Sequence, residues 1–245
     1  MAKGAARKRA DLLLVENGLC QSREQARRLI MAGQGFTTSG RVLKPSSALP
    51  TSAPIDVRER LPYVGRGGLK LSHALDSFNI SVQDMSVLDV GASTGGFTDC
   101  LLQRGARKVY ALDVGHGQLS YTLRKDPRVV VMERHNARFP FELPEPVDLI
   151  TIDVSFISLS LVIPSVVTHL KNQRAIIALV KPQFEAQKAE VARGGVVRNP
   201  QVHARVLGRT IVWAVDQGLR VRNLCSSPIL GNSGNREFFL LLENE

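Results

Sequence analysis

From Ser86 onward the chain repeats one pattern, an apolar run of strand length followed by a stretch with helical spacing. The runs are Ser86–Val90, Val109–Leu112, Val129–Met132, Leu149–Val154, Ala175–Val180, Leu219–Cys225 and Phe238–Leu242. Phe97–Arg104 and Gln201–Gln217 are the clearest helical patterns between them. Such alternation predicts an α/β fold, a mostly parallel sheet with helices on both faces. The stretch between the last two runs, Ser226 to Arg236, is rich in turn formers and too short for a helical crossover. The final two strands are therefore expected to be antiparallel.

The first quarter reads differently. Residues 1–62 carry 11 Lys and Arg against 5 Asp and Glu, more than half of the net charge of +10. Ala10 to Asn17 has helical apolar spacing and stops at Gly18, and Ser22 is a good N-cap for a second helix, Arg23 to Ala32, closed by Gly33. Phe36–Thr38, Arg41–Leu43 and Ile55–Val57 read as short strands, with turns at Ser39-Gly40 and Lys44-Pro45. This is a small α+β domain, 1–62, ahead of a larger one, 63–245. Leu61 to Gly68, with one proline and three glycines, reads as a linker or a loop approaching a ligand. The basic balance admits a polyanionic partner without selecting one. Cys20, Cys100 and Cys225 show no metal-ligand spacing and read as reduced thiols of a cytoplasmic protein. No secretory signal opens the chain, and its most apolar region, Val147 to Leu170, is interrupted by Asp148, Asp153 and Pro164. That excludes a helical membrane span there.

The sharpest local signal is the glycine-rich turn from Val87 to Phe97, a strand running into Gly91-Ala92-Ser93-Thr94-Gly95-Gly96 and then a helix. Glycines in such a turn let the backbone approach a ligand. The spacing is GxxxGG rather than the GxGxxG of a pyrophosphate cradle, and Asp89 stands two residues before the first glycine. A carboxylate there would repel pyrophosphate but could engage a ligand's ammonium group, directly or through water, as in S-adenosyl-L-methionine, which has an amino acid end and no phosphate. Asp113, at the end of the next strand, is placed to accept hydrogen bonds from ribose hydroxyls. Asn136, after the third, could contact an adenine edge, though Asn is equally a turn former.

Asp153 and Lys181 end the fourth and fifth strands, and strand ends of an open α/β sheet face one crevice. Methyl transfer to a hydroxyl needs its proton removed. A lysine accepts it only in the neutral form, which nearby cations and desolvation favour and carboxylates oppose. Lys70 and Glu237 are candidates to accompany it, although spacing alone does not bring them together.

The chain resembles the TlyA family of ribosomal RNA 2′-O-methyltransferases, often labelled hemolysin-like. In the first 60 residues Arg9-Ala10-Asp11-Leu12-Leu13-Leu14-Val15, Ser22-Arg23-Glu24-Gln25-Ala26-Arg27 and Gly40-Arg41-Val42-Leu43-Lys44-Pro45 are similar to the RNA-binding domain of ribosomal protein S-four. Gly65-Arg66-Gly67-Gly68-Leu69-Lys70, Asp113-Val114-Gly115-His116-Gly117, Val180-Lys181-Pro182-Gln183-Phe184-Glu185 and Gly231-Asn232-Ser233-Gly234-Asn235-Arg236-Glu237 carry the likeness onward. The pattern departs at Gly33 to Thr37, where Gly-x-Val-x-Val is usual, and at Gly65, where serine is common. The resemblance implies an FtsJ-type, Rossmann-like methyltransferase using S-adenosyl-L-methionine on a ribose, with cytidine the expected nucleoside. It implies a catalytic tetrad of Lys70, Asp153, Lys181 and Glu237, with Lys181 activating the hydroxyl. Gly91, Ser93, Thr94, Gly95 and Asp113 match cofactor positions, while Arg23, Arg27, Lys44 and Arg66 are the candidate RNA contacts. The expected partner is ribosomal RNA or a ribosomal subunit, with no membrane and no metal required. The competing readings are a membrane-lytic protein, against which the lack of an apolar span or strongly amphipathic helix weighs, and a non-catalytic RNA-binding assembly factor, which would bind no cofactor.

Overall fold

A computed structural model describes residues 6–31, 34–38, 40–42, 44–57, 62–231 and 233–244. The chain divides into two compact units, Met1–Leu61 and Pro62–Glu245.

The small unit runs β1 (Arg7–Arg9), α1 (Ala10–Glu16), α2 (Arg23–Met31), β2 (Gly35–Thr37), β3 (Gly40–Arg41), β4 (Ala48–Pro50) and β5 (Ile55–Val57). β2 pairs antiparallel with β3 and β5, and β1 with β4. One face of each helix closes over a small core that includes Leu13, Leu14, Ala26, Ile30, Val42 and Ile55. Ser22 caps α2 as its sequence requires: its Oγ accepts from Gln25 N at 3.2 Å, while Gln25 Oε1 accepts from Gln21 N. β1 and β4 are absent from the sequence expectation because the Arg-Lys-Arg run of β1 has no apolar alternation. Gly33, Ser39 and Leu43, expected at a helix stop, a turn and a strand end, lie outside the described residues.

The large unit holds α3 (Arg66–Ser77), β6 (Ser86–Val90), α4 (Gly96–Gln103), β7 (Lys108–Asp113), α5 (Tyr121–Arg124), β8 (Val129–Glu133), β9 (Val147–Ile152), α6 (Ile163–Val166), β10 (Leu170–Val180), α7 (Pro182–Glu185), α8 (Pro200–Asp216), β11 (Leu219–Ser226) and β12 (Phe238–Asn244). Its seven strands lie in the order β11-β12-β10-β9-β6-β7-β8. Strands β6 to β10 are parallel, and β12 inserts antiparallel between β10 and β11. Alternate residues feed two apolar layers. Val87 packs with α3 and α4 through Leu71, Leu75, Phe97 and Leu101, while Leu88 and Val90 join Ile163, Val166, Val202 and Val206 of α6 and α8. No helix among the described residues is long and apolar enough to cross a membrane.

Two expectations change. Of the stretch expected as a linker or a loop approaching a ligand, residues 62–68 run into α3, which begins at Arg66, so Gly67 and Gly68 form its first turn, and Gly65 to Gly67 border a cavity. A Cβ on Gly68 would stand 2.3 Å from the Tyr63 ring, so Gly68 lets that ring pack on α3; one on Gly96 would lie 3.1 Å from Gly68 N and 3.2 Å from Gly67 Cα, so Gly96 lets the starts of α3 and α4 touch. β10 starts five residues before the apolar run, at Leu170, because Leu170 pairs with Val147 across an irregularity in the ladder. Its polar residues Lys171 to Arg174 conceal this from hydropathy.

In the small unit, buried Asp11 accepts from Arg9 at 2.8 and 2.9 Å and from Arg23 at 3.1 Å. These guanidinium bonds, Arg9's foremost, hold its carboxyl down to about 2. A carboxyl whose folded pKa lies below its unfolded value stabilises the fold above the unfolded pKa and loses that contribution as pH falls through the folded one. Chemical denaturation of the full chain should therefore show stability declining between about pH 4 and pH 2. Asp11→Ala should remove about 1–3 kcal/mol at pH 7 and flatten that decline.

Candidate active site

The order of the sheet reverses between β6 and β9: the chain goes from β6 outward to β7 and β8, then returns to β9 on the other side. In an open α/β sheet the crevice lies at the carboxyl ends of the strands flanking such a reversal. Here Asp153 N donates to Val90 O at 2.9 Å, joining the two ends. Gly91 follows with φ +84°, and a Cβ on it would lie 2.6 Å from Asp153 O. Only glycine fits that backbone contact.

Two adjoining cavities open there. The larger, about 430 Å³, is lined by Arg66, Lys70, Gly91, Ser93, Thr94, Asp153, Ser155, Phe156, Lys181, Gln183 and Glu237, among others. The smaller, about 360 Å³, shares Gly91, Ser93, Asp153, Ser155 and Phe156 and adds Asp113, Val114, Gln118, His135 and Asn136. Asp113 ends β7. Its oxygens accept from Ser93 N and Gly115 N, each at 2.7 Å, which fixes the carboxylate facing the smaller cavity. Asn136 Oδ1 accepts from Arg138 N at 3.0 Å. Gly95 precedes α4 and is absent from both linings, although its neighbours Thr94 and Gly96 line the larger one.

Lys70, Asp153, Lys181 and Glu237 meet in the larger cavity as two ion pairs. Lys70 Nζ donates to Glu237 Oε2 at 2.6 Å. Lys181 Nζ lies 2.6 Å from Asp153 Oδ1, a charge contact whose angle falls outside hydrogen-bond geometry, and donates to Ser155 Oγ at 2.9 Å. Both lysines are 8% exposed and Glu237 3%. The four come from separate elements: Lys70 from the first turns of α3, Asp153 from the end of β9, Lys181 from the end of β10 and Glu237 from the residue before β12. Pro182 opens α7 and holds Lys181 extended, at φ −108° and ψ 102°, so β10 ends with the amine over the cavity. Arg66 lines the same cavity and donates to Leu230 O at 2.6 Å. In the small unit Arg23 is bound to Asp11, and Arg27 and Lys44 are exposed.

Sequence reasoning passed over Ser155, Phe156 and Gln183. Phe156 is 91% exposed at φ +64°, lines both cavities and lies 5.0 Å from the Phe184 ring. Gln183 has a buried Oε1 with no hydrogen-bond partner. The available signal was position, since Ser155 and Phe156 follow a strand-ending aspartate and Gln183 follows a strand-ending lysine.

The FtsJ-like methyltransferase family model matches residues 63–244. The chain is 45% identical to the 16S/23S rRNA (cytidine-2′-O)-methyltransferase TlyA of Mycobacterium tuberculosis, an alignment spanning 98% of this chain and 91% of that protein. It is 41% identical to hemolysin A of Brachyspira hyodysenteriae, across 94% of this chain and 97% of that one. A solved structure of a provisionally named hemolysin from Streptococcus thermophilus superposes with a TM-score of 0.75 at 43% identity, covering 98% and 90% of the two chains.

Asp89 is found elsewhere than expected. It lies on the same sheet face as Val87, beneath α4, and lines neither cavity. It is fully buried and accepts from Thr98 Oγ1 at 2.7 Å and Thr151 Oγ1 at 3.0 Å. Its side chain faces neither cavity directly; the carboxyl ties α4 to β9 beneath the loop. Burial pushes its pKa up to about 7. The folded state then holds a proton that the unfolded chain has released, so this group makes stability fall as pH rises from about 4 to about 7. Asp89→Asn should keep the fold and flatten thermal stability across that window. A decline as steep as the parent's would contradict the account.

Proposed function

The chain belongs to the FtsJ-like methyltransferase family, and from that premise we propose that it methylates the 2′-hydroxyl of a ribose, a cytidine's, in ribosomal RNA. The observation that carries this reading is the convergence of Lys70, Asp153, Lys181 and Glu237 on one cavity that adjoins another lined by Asp113 and Asn136. The residues present fit S-adenosyl-L-methionine. Gly91 turns the chain tightly against the Asp153 backbone where no Cβ fits, leaving its loop along the rims of both cavities; Asp113 would accept from ribose hydroxyls, Asn136 would meet the adenine edge, and backbone from Gly91 to Thr94 would border the amino acid end. When bound, that group supplies a methyl on a positively charged sulfur, which passes to the ribose oxygen as its bond to sulfur breaks.

The chain's own residues do the rest. Unprotonated Lys181 takes the hydroxyl proton, Asp153 stabilises the ammonium so formed, and Lys70, held by Glu237, adds a second positive charge beside the reacting oxygen. Alignment of the oxygen supplies much of the rate. Lys70, Lys181 and Glu237 are nearly buried, where fixed charges act more strongly than in water. RNA is held largely through phosphates, with Arg23, Arg27, Lys44 and Arg66 as contacts, so affinity falls steeply with salt. The partner in this reading is ribosomal RNA or a ribosomal subunit in the cytoplasm, with no metal and no membrane in the cycle.

Mapping 2′-O-methylation on ribosomal RNA from cells with and without the protein tests the reaction; identical maps would refute it. For the residue, Lys181→Ala should lower the methylation rate by at least ~10²-fold. Calorimetry should show its cofactor affinity retained. Full turnover by that variant on its own RNA would remove Lys181 from the proposed role.

A further inference from the structure

We propose that Ser155 is a positioning residue, setting the direction of the Lys181 amine while Asp153 supplies its counter-charge. The inference rests on the reading of Lys181 as the group that takes the ribose proton. Two contacts hold Nζ, and they differ in kind. The 2.6 Å contact with Asp153 Oδ1 is off the hydrogen-bond line, and that oxygen is buried without a hydrogen-bond partner. Coulomb attraction depends on distance, so this contact favours charge without choosing where the N–H bonds point. A hydrogen bond weakens steeply with angle, and the aligned one runs to Ser155 Oγ at 2.9 Å.

A neutral amine has two N–H bonds and one lone pair around a tetrahedral nitrogen. With one N–H pinned on Ser155, rotation about the Cε–Nζ bond stops; of the two tetrahedral directions left, the one nearer Asp153 takes the second N–H, because a lone pair facing a carboxylate is repelled, and the lone pair takes the other. Without Ser155 the amine turns about its Cε–Nζ bond under the pull of Asp153 alone, and the lone pair sweeps. Ser155 lies at the seam of the two cavities and lines both. Its own O–H has no acceptor among the described residues, so the fold does not otherwise occupy it.

The distance between Ser155 and Lys181 is also held from outside the pair. Glu185, four residues after Lys181, accepts from Ser158 Oγ at 2.6 Å and from Leu159 N at 2.8 Å. These bonds clamp the segment carrying Ser155 to the helix that Lys181 precedes. The other charged side chains of the cavity, Asp153, Lys70, Glu237 and Arg66, are untouched by removing a serine hydroxyl, so loss of direction is separable from loss of charge.

The test compares Ser155→Ala, Ser155→Thr and Lys181→Ala in the purified full chain, using ribosomal RNA, with melting temperatures to establish folding. Misplacing a reacting group by about 1 Å costs up to ~10²-fold, so a partial loss of direction in Ser155→Ala should lower kcat about tenfold. KM for RNA and calorimetric Kd for S-adenosyl-L-methionine should stay unchanged. Ser155→Thr, which keeps the hydroxyl, should recover most of the rate. Parental kcat in Ser155→Ala, or a kcat loss matched by weaker cofactor binding, would overturn the proposal. So would a folded Ser155→Thr that recovers nothing. Lys181→Ala separates the two readings: if it is inactive while Ser155→Ala is fully active, only Ser155 is withdrawn, whereas parental turnover by Lys181→Ala withdraws the reading beneath it.

Discussion

The pairing of β6 with β9 puts Val90 and Asp153 within one backbone hydrogen bond of each other, and the site is built outward from that contact. Because the strand order reverses there, a crevice opens at the carboxyl ends beside Gly91, where the backbone contact admits only glycine. The carbonyl of Asp153 presses against Gly91 while its carboxylate reaches the amine at the end of β10. Moving either strand end by one residue would carry the side chains to the opposite sheet face, since pleat parity is two.

Asp89 shows what that parity does. It stands two residues before Gly91, close in sequence to a ligand-binding loop, yet its side chain shares a face with Val87 and points under α4. There it accepts from Thr98 and Thr151 and retains its proton to near neutral pH. The loop is thus supported from below by a carboxyl whose pKa burial raises to about 7, while Asp113, on the neighbouring strand, faces the cavity with its position fixed by backbone amides.

Two lysines and two carboxylates in one largely buried cavity are costly to desolvate, and each is tolerable only beside its partner. Such an arrangement contributes little to stability compared with apolar packing of the same volume. Its persistence is better accounted for by chemistry than by folding. The pairs are also unlike. Lys70 and Glu237 form a short aligned bond, whereas Lys181 keeps an off-line contact with Asp153 and an aligned one with a neutral hydroxyl. The amine assigned the proton is therefore the one held between a carboxylate and a neutral hydroxyl.

Sequence alone determined the α/β class, the antiparallel final pair and the turn at Gly91, because these follow from local periodicity and from conformations open to few residues. It also placed Asp153 and Lys181 at neighbouring strand ends, but joined Lys70 and Glu237 to them as a tetrad only by resemblance: nothing in their spacing brings together side chains 167 positions apart, as Lys70 and Glu237 are. Strand order decided that. Only the tertiary structure placed Asp89 beneath the loop, made Gly67 and Gly68 the start of a helix, extended β10 back to Leu170, and set Ser155 against Lys181. Each of these depends on what lies across the sheet or against the helix. A residue's type records its chemistry, whereas its neighbours are chosen by how the layers pack.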